Sequence, residues 1–125
     1  MVLAKAIATI MMWISTAMAA HNEVPAKLRR AIEYHESRGS WTAVSKSGCV
    51  GVMQIMPKYS KVPRPLLFIG PINRLEGARH LRYWHRRANG DWRLAIAAYG
   101  CGNAGLRGEC GQQYAQDIIA QTGEL

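Results

Sequence analysis

The sequence is short of acidic residues and lacks several features of larger or metal-bound proteins. Eight Asp and Glu stand against sixteen Lys and Arg, which gives a formal net charge of +8. There is no Cys-x-x-C spacing, which argues against a structural zinc site, and no repeat or low-complexity stretch. No segment alternates convincingly as a β-strand. With 125 residues the chain has room for one domain and none for a second binding module.

The composition is typical of a folded globule, because hydrophobic residues make up 49% and charged residues 19%, with four Trp and five Tyr. A disordered tail is thereby excluded. The positive charge favours an anionic partner, for which nucleic acid, anionic lipid and the bacterial cell wall all qualify. Charge alone does not select among them.

The first twenty residues have the pattern of a secretory leader. Lys5 gives a short positive region, residues 6–17 form an apolar run, and Ala-Met-Ala at 17–19 is the small-x-small pattern that signal peptidases accept. The run is about fifteen residues, short of the ~20 that span a bilayer stably, so a permanent anchor is the weaker interpretation. Residues 1–20 are therefore predicted to be a signal peptide or a releasable signal-anchor. Residues 21–125 form the mature domain, exported to the periplasm or cell envelope.

Three cysteines remain for an exported chain, at Cys49, Cys101 and Cys110. Export makes a disulfide possible, and three cysteines allow one bridge with one thiol left over. Cys101 and Cys110 flank a glycine-rich loop that a bridge would staple. Pairing of Cys49 with either of them is the alternative that the sequence leaves open.

Apolar periodicity predicts four helices in the mature chain, which places the fold in the mainly α class. The helices are expected at residues 25–36, 73–88, 92–99 and 112–121. Asp91 is expected to cap the third helix, and Tyr114 to point inward from the last. Loops are predicted at residues 39–50, 58–71 and 100–111, where Gly, Ser and Pro concentrate.

Residues 36–57 carry the most specific pattern in the chain. It consists of Glu-Ser at 36–37, Ala-Val-Ser at 43–45, Gly-Val-Met-Gln at 51–54 and Met-Pro at 56–57, continued by Asn73, Gly77 and GDWRLAIAAYG at 90–100. With these motifs the chain resembles the soluble lytic transglycosylase family over nearly all of residues 26–105. The resemblance implies a small single-domain lysozyme-like fold with helices around a sugar-binding groove. It also implies cleavage of peptidoglycan glycan strands.

By this resemblance Glu36 is the catalytic acid. A glycosidic bond needs a proton at its leaving oxygen, and a carboxyl withdrawn from water has a pKa high enough to carry one near neutrality. Glu36 is expected to protonate the bond between N-acetylmuramic acid and N-acetylglucosamine, then to take a proton from the sugar's own 6-hydroxyl. The product is a 1,6-anhydro sugar, so the second carboxylate of two-acid glycosidases is not required. Glu33, one turn earlier, is expected to be an ordinary surface charge.

The resemblance also implies substrate-binding residues. Ser37 is expected to position the catalytic acid or the substrate, Gln54 to hold an acetamido group, and Met53 to line the groove. Tyr99 matches the tyrosine that approaches the catalytic acid in the family.

One residue departs from the family pattern, which usually has Asn after that tyrosine. This chain has Gly100 at that position, followed by Cys101, Gly102 and Asn103. Asn103 either reaches back through the loop to replace the missing side chain, or the substrate contact is lost. The partition between cyclisation and hydrolysis depends on which of these holds.

The histidines do not suggest a metal site. His80 and His85 are five residues apart on a predicted helix and do not share a face, and His35 is expected to be packed or hydrogen-bonded. No spacing signals a Ser/His/Asp or Cys/His arrangement. We expect neither a metal nor a cofactor.

Two other functions compete with this prediction. A lysozyme on the same fold would use water as nucleophile and needs a second acid or a positioned water; Asp91, Glu76 and Glu109 are the downstream candidates. A non-enzymatic binding protein would use the basic, aromatic stretch at 78–87 for nucleic acid or membrane. The leader argues against nucleic acid, and a basic groove suits anionic peptidoglycan. We expect a monomeric enzyme that serves as a phage endolysin or opens the wall for a secretion or conjugation machine.

Overall fold

The computed structural model describes residues 1–123, which fold into α-helices joined by loops. The elements are α1 (Val2–Glu23), α2 (Ala26–Ser37), α3 (Gly70–Arg87), α4 (Trp92–Cys101), α5 (Asn103–Leu106) and α6 (Gln112–Thr122), with 3₁₀ turns at Pro57–Tyr59 and Arg64–Phe68. Within these residues there is no strand, and isolated bridges join Val50 to Val44 and to Ile55. The predicted mainly α class is confirmed.

The helix ends follow local capping chemistry. Asp91 caps α4, and its carboxylate accepts hydrogen bonds from the backbone N–H groups of Arg93 at 2.9 Å and Leu94 at 3.3 Å. α2 ends where Arg38 turns left-handed with a φ of 54°. This end places the last residues of α2 against the loop that follows, which matters for the site.

Several predicted boundaries differ from those of the structure, most clearly at α3 and after α4. α3 begins at Gly70 and not at Asn73, because Pro71 lies in the first turn, where its missing N–H leaves no hydrogen bond unmade. The loop predicted at residues 100–111 begins later, since α4 runs to Cys101, and it contains the short helix α5.

The core lies where α2, α4 and α6 meet the loop at residues 50–55. Its largest fully buried side chains include Leu28, Ile32, Ile55, Ile96 and Ile118. Burying each such side chain contributes about 1.5–3 kcal/mol. The core thereby fixes the end of α2 relative to the start of α6.

α1 packs along α3 and is longer than the apolar run read from the sequence. Ala17 and Ala20 are fully buried, and Trp13 packs on the core. The Trp13 indole N–H donates to Oε1 of Glu76 at 2.9 Å. With 22 residues and a mean hydropathy of 1.6, α1 is long and apolar enough to cross a membrane, a test that signal sequences also pass.

Candidate active site

Glu36 lies in the last turn of α2, partly buried. The hydroxyl of Tyr114, on α6, donates a hydrogen bond of 2.8 Å to its Oε1. Burial raises the pKa of Glu36, and the Tyr114 hydroxyl and the charge of His35 offset this only in part. The carboxyl is therefore displaced towards the protonated form that a general acid needs.

Tyr114 is the site residue that the sequence did not reveal. Its ring meets that of His35 edge-on with centroids 5.0 Å apart. Burial and the charge of Glu36 raise the pKa of Tyr114, so the phenol stays protonated and donates to the carboxyl. The sequence predicts Tyr114 on the inner face of the last helix, but the 78 residues between it and Glu36 hide their contact.

Ser37 fastens the end of α2 to the loop beside it. Its hydroxyl donates to the carbonyl oxygen of Val52 at 2.7 Å and accepts from the N–H of Gly39 at 3.0 Å. These bonds hold the backbone next to Glu36. They are of the kind a positioning residue makes, and no bond of Ser37 to the Glu36 carboxyl is present among the described residues.

Asn73 and Gly51 explain why the loop at 50–55 adopts its path. The Asn73 side chain is fully buried and accepts from the N–H of Met53 at 2.8 Å, while its amide donates to the carbonyl oxygens of Val50 at 2.8 Å and Leu67 at 2.9 Å. Gly51 has a φ of 80°, and a Cβ there would overlap the Asn73 amide. Two family-pattern residues therefore build the scaffold of the site.

Met53 was expected to line the groove, but its side chain is buried. The side chain is 1% exposed and fills the space left by Gly77, where an added Cβ would lie 2.8 Å from it. Met53 is a core residue and does not line the groove. Its carbonyl oxygen accepts a 2.6 Å hydrogen bond from the hydroxyl of Tyr99.

A groove of about 800 Å³ runs past this loop, and its lining includes Gln54, Tyr99, Gly100 and Asn103. The side-chain amide of Gln54 donates to the carbonyl oxygens of Gly51 at 2.9 Å and Ala43 at 3.2 Å, which fixes its orientation. Three of the residues predicted to bind substrate, at positions 54, 99 and 103, thus share one surface. Asn103 begins α5 and lies on this surface together with Gly100.

Tyr99 lies near Glu36 without a hydrogen bond to it. Burial and the charge of Glu36 raise the pKa of Tyr99 well above its ordinary range, but its hydroxyl bonds to the loop carbonyl. The tyrosine that is hydrogen-bonded to Glu36 is Tyr114. Glu36 itself is not among the groove-lining residues, but its charge acts on Tyr99, which is one of them.

The three downstream carboxylates considered as a second acid are engaged elsewhere. Asp91 caps α4, and Glu109 pairs with Arg107 at 3.0 Å. Glu76 is fully buried and paired with Arg79 at 2.7 Å. Among residues 1–123, no other carboxylate is hydrogen-bonded to Glu36.

The cysteines and histidines have defined places. Cys101 is disulfide-bonded to Cys110, which resolves the pairing that the sequence left open, and it ties the end of α4 to the residues before α6. Cys49 is unpaired among the described residues and lines the groove. In the same part of the chain, no three His, Cys, Asp or Glu residues are arranged to hold a metal ion.

Comparison with known proteins identifies the class. The family model of the transglycosylase SLT domain matches residues 13–122, so the chain belongs to this family. The predicted family is thereby confirmed. The match begins at Trp13, within α1.

A solved structure shows the same fold. The chain is similar, with a TM-score of 0.73 and 23% identity, to the X-ray structure of an inactive mutant of the lytic transglycosylase Slt from Pseudomonas aeruginosa. The similarity covers 88% of this chain and 22% of that one, so this chain spans about a fifth of its length. Among curated protein sequences, none matches significantly.

Proposed function

We propose that the chain cleaves peptidoglycan between N-acetylmuramic acid and N-acetylglucosamine, with Glu36 as its catalytic acid and a 1,6-anhydro sugar as its product. The observation that carries the proposal is the environment of Glu36. It is a partly buried carboxyl with a raised pKa, whose charge acts on the groove residue Tyr99, in a chain of the transglycosylase family. Such a carboxyl retains a proton to donate to the leaving oxygen.

The second step is proposed because no second carboxylate is hydrogen-bonded to Glu36 among residues 1–123. As the bond breaks, Glu36 becomes a carboxylate that accepts a proton from the 6-hydroxyl of the muramic sugar. That hydroxyl attacks the anomeric carbon of its own ring, an intramolecular reaction with a high effective concentration. Tyr114 donates to the Glu36 carboxyl and holds its orientation through the cycle.

Product analysis tests the reaction type. Peptidoglycan digested with the enzyme should yield mainly anhydromuropeptides, which mass spectrometry distinguishes from reducing-end products by one water per cut. A digest of almost only reducing ends would make the chain a lysozyme. The replacement of the family Asn by Gly100 is the feature that favours this second candidate, because it could admit water to the anomeric carbon. The variant Gly100→Asn, which restores the residue usual in the family, should increase the share of anhydro ends among the products relative to the wild type.

We propose that the chain is exported to the periplasm or cell envelope. Residues 1–20 act as an anchor that can leave the membrane without being cut from the rest of the chain. The Cys101–Cys110 disulfide supports an oxidising compartment. A cut after Ala19 would remove Trp13 and Ala17, which pack on α3 and the core. Mass spectrometry of periplasmic protein should find the intact chain; a uniform species beginning at residue 20 would show a cleaved signal peptide instead.

Within the cell envelope, we propose that the chain opens the wall locally, either as a phage endolysin or on behalf of a secretion or conjugation machine. The small single domain and its N-terminal helix support both roles equally. Glycan strands of peptidoglycan are the proposed partner, and the enzyme is proposed to act as a monomer. Identifying the genes beside this one would distinguish a role in lysis from a role in secretion or conjugation.

A further inference from the structure

One side of α1 carries large apolar side chains that stay exposed after the helix has docked on α3. Residues 1–12 are all exposed, and the buried side of α1 begins at Trp13 and includes Ala17 and Ala20. Beside these contacts, apolar side chains recur at helical spacing along one side of α1. They are Leu3, Ile7, Ile10, Met11, Ile14 and Met18, which are 40–72% exposed. We call this surface the α1 stripe. Continuous exposed apolar surface of this kind marks a binding site.

α1 is too short to span a bilayer while it remains docked on α3. The indole N–H of Trp13 donates to Glu76, and Ala17 and Ala20 are fully buried, which fixes the C-terminal half of the helix. The free part, residues 2–12, is about 16 Å long, whereas the hydrocarbon core of a bilayer is about 30 Å thick. The docked helix therefore reaches one leaflet only. A helix with an apolar stripe enters a leaflet by lying in the plane of the interface.

The charges around the C-terminal end of α1 favour an anionic surface. The carboxylates nearest in sequence, Glu23 and Glu33, pair with arginines of α3 at 2.7 to 3.7 Å. The cations between them, Lys27, Arg29 and Arg30, have no carboxylate partner among residues 1–123. Unpaired cations next to an apolar helix attract the headgroups of anionic lipids.

A second copy of the chain is the other occupant that an apolar stripe accepts. Each copy carries a formal net charge of +8, and pairing of two stripes would bring the same cations together. Like charges at a contact oppose association, whereas the same charges strengthen binding to an anionic bilayer. The charge of the chain therefore favours lipid over self-association.

We propose that α1, docked on α3, holds the folded enzyme on the surface of an anionic phospholipid bilayer. The α1 stripe enters one leaflet, and Lys27, Arg29 and Arg30 lie at the headgroups. The inference rests on the proposed location in the cell envelope, and it adds to the proposed anchor a second membrane-bound state in which the domain is fully folded. An enzyme held in this way reaches the glycan strands nearest the membrane.

The experiment measures binding of the purified full-length protein to sealed lipid vesicles by flotation. One set of vesicles contains phosphatidylethanolamine and phosphatidylglycerol, and the other contains phosphatidylcholine alone. Binding should be about fivefold or more tighter to the anionic set at low salt, and this difference should shrink as salt rises.

Chemical labelling reports how α1 lies in the bound protein. Lys5 lies on the side of the helix away from the α1 stripe, as the helical repeat of 3.6 residues requires. An amine-reactive reagent that does not cross membranes should therefore label Lys5 in vesicle-bound protein, as it labels the exposed Lys58. A helix that spans the bilayer would place Lys5 in the vesicle lumen and protect it. Mass spectrometry of the digested protein measures both sites.

Matched variants localise the contact. Ile14→Gln changes a stripe side chain that is 40% exposed and should weaken vesicle binding about three- to eightfold. Its control is Leu66→Gln, at a side chain that is 43% exposed in the 3₁₀ turn Arg64–Phe68, which should bind like the wild type. Arg30→Gln should weaken binding to the anionic vesicles about fivefold. Arg93→Gln, at an exposed arginine on α4, should not.

The outcomes separate this inference from the proposals on which it rests. Equal binding to both vesicle sets, or equal loss in the Ile14 and Leu66 variants, would overturn the α1 stripe as a lipid surface. Protection of Lys5 with labelling of Lys58 would show a spanning helix and overturn the in-plane state. A lipid-free dimer that Ile14→Gln dissociates would assign the stripe to a second copy instead.

Location and cleavage are measured separately, by cell fractionation and by digestion of peptidoglycan without vesicles. An exported, active chain that does not bind anionic vesicles would overturn this inference and leave both proposals standing. Failure to cleave peptidoglycan would contradict the proposed reaction and leave the membrane contact to the vesicle result.

Discussion

Glu36 and Glu76 are two glutamates withdrawn from water in one small domain, and their pKa values are shifted in opposite directions. Burial raises the pKa of Glu36, whose hydrogen-bond partner is the hydroxyl of Tyr114. Burial would raise the pKa of Glu76 too, but hydrogen bonds from Arg79, His80 and Trp13 outweigh it and hold that pKa well below its ordinary range.

The difference lies in the partners and not in the depth of burial. Glu76 is the more buried of the two, yet it is the one that stays ionised, because cations and N–H donors stabilise the charged form. Glu36 has a phenol that stays neutral, so its charged form is poorly compensated. The hydrogen bonds of Glu76 link α1 and α3 to residues 60–61, which follow the 3₁₀ turn at Pro57–Tyr59. The surroundings of Glu36 leave a proton available for chemistry.

The largest effect is expected from Glu36→Gln, which keeps the shape but removes the transferable proton. Wall-lysing activity should fall by about 10²–10⁴-fold, while the free energy of unfolding is unchanged or higher, since a poorly compensated acid is removed. Turbidity of a cell-wall suspension and urea unfolding measure the two. The control is Glu33→Gln, which breaks only a partly exposed ion pair with Arg74 at 2.7 Å. Similar lysis by wild type and the Glu36 variant would refute the assignment.

The reverse pattern is expected from Glu76→Gln. Breaking a buried ion pair leaves Arg79 uncompensated and should lower the free energy of unfolding by about 3–5 kcal/mol. Loss of activity should follow loss of folded protein. Circular dichroism in urea checks this, and a variant as stable as the wild type would show that the Glu76 cluster contributes nothing.

The pH dependence of stability sharpens the same contrast. Because the folded pKa of Glu76 is depressed, its contribution is present above the unfolded value of about 4.3 and is lost as pH falls below it. Wild-type stability should therefore decline below about pH 4.3, and Glu76→Gln should show a flatter profile. Equal slopes for both proteins would contradict the depressed pKa.

A smaller effect is expected from Trp13→Phe, which keeps a ring on α1 but removes its hydrogen bond to the Glu76 carboxylate. The loss of a hydrogen bond to a charged group should cost about 1.5–3 kcal/mol. Trp41→Phe, at a side chain that is 47% exposed, is the matched control and should cost less. An unchanged unfolding midpoint for the Trp13 variant would indicate that α1 does not need this contact to dock.

The smallest change in stability is expected from Tyr114→Phe, about 0.5–1.5 kcal/mol. The hydroxyl lowers the pKa of Glu36, so its removal should raise that pKa and move the upper pH limit of activity higher. A pH profile of glycan cleavage measures the shift, with Tyr34→Phe, an exposed tyrosine on α2, as control. A profile that moves to lower pH would mean that the hydroxyl favours the protonated acid.

Sequence reasoning singled out Glu36 because its neighbours form an ordered motif, and it found the helices because apolar periodicity and caps are local. It missed Tyr114 and the Trp13–Glu76 contact because both join residues more than sixty positions apart. Met53 was misplaced because a motif position does not state which way a side chain points. The apolar run in residues 1–20 is equally suited to a leader and to a helix that docks on α3, and composition does not separate them.

The most direct test of the contrast is the titration of the glutamate carboxyl carbons by NMR in the folded protein, assigned with the two Gln variants. Glu36 should titrate above the ordinary value of about 4.3, and Glu76 should remain ionised to the acid limit of the fold. If Glu36 instead titrates at or below the ordinary value, the proton needed for cleavage is not held there, and the assignment of Glu36 as the catalytic acid loses its physical basis.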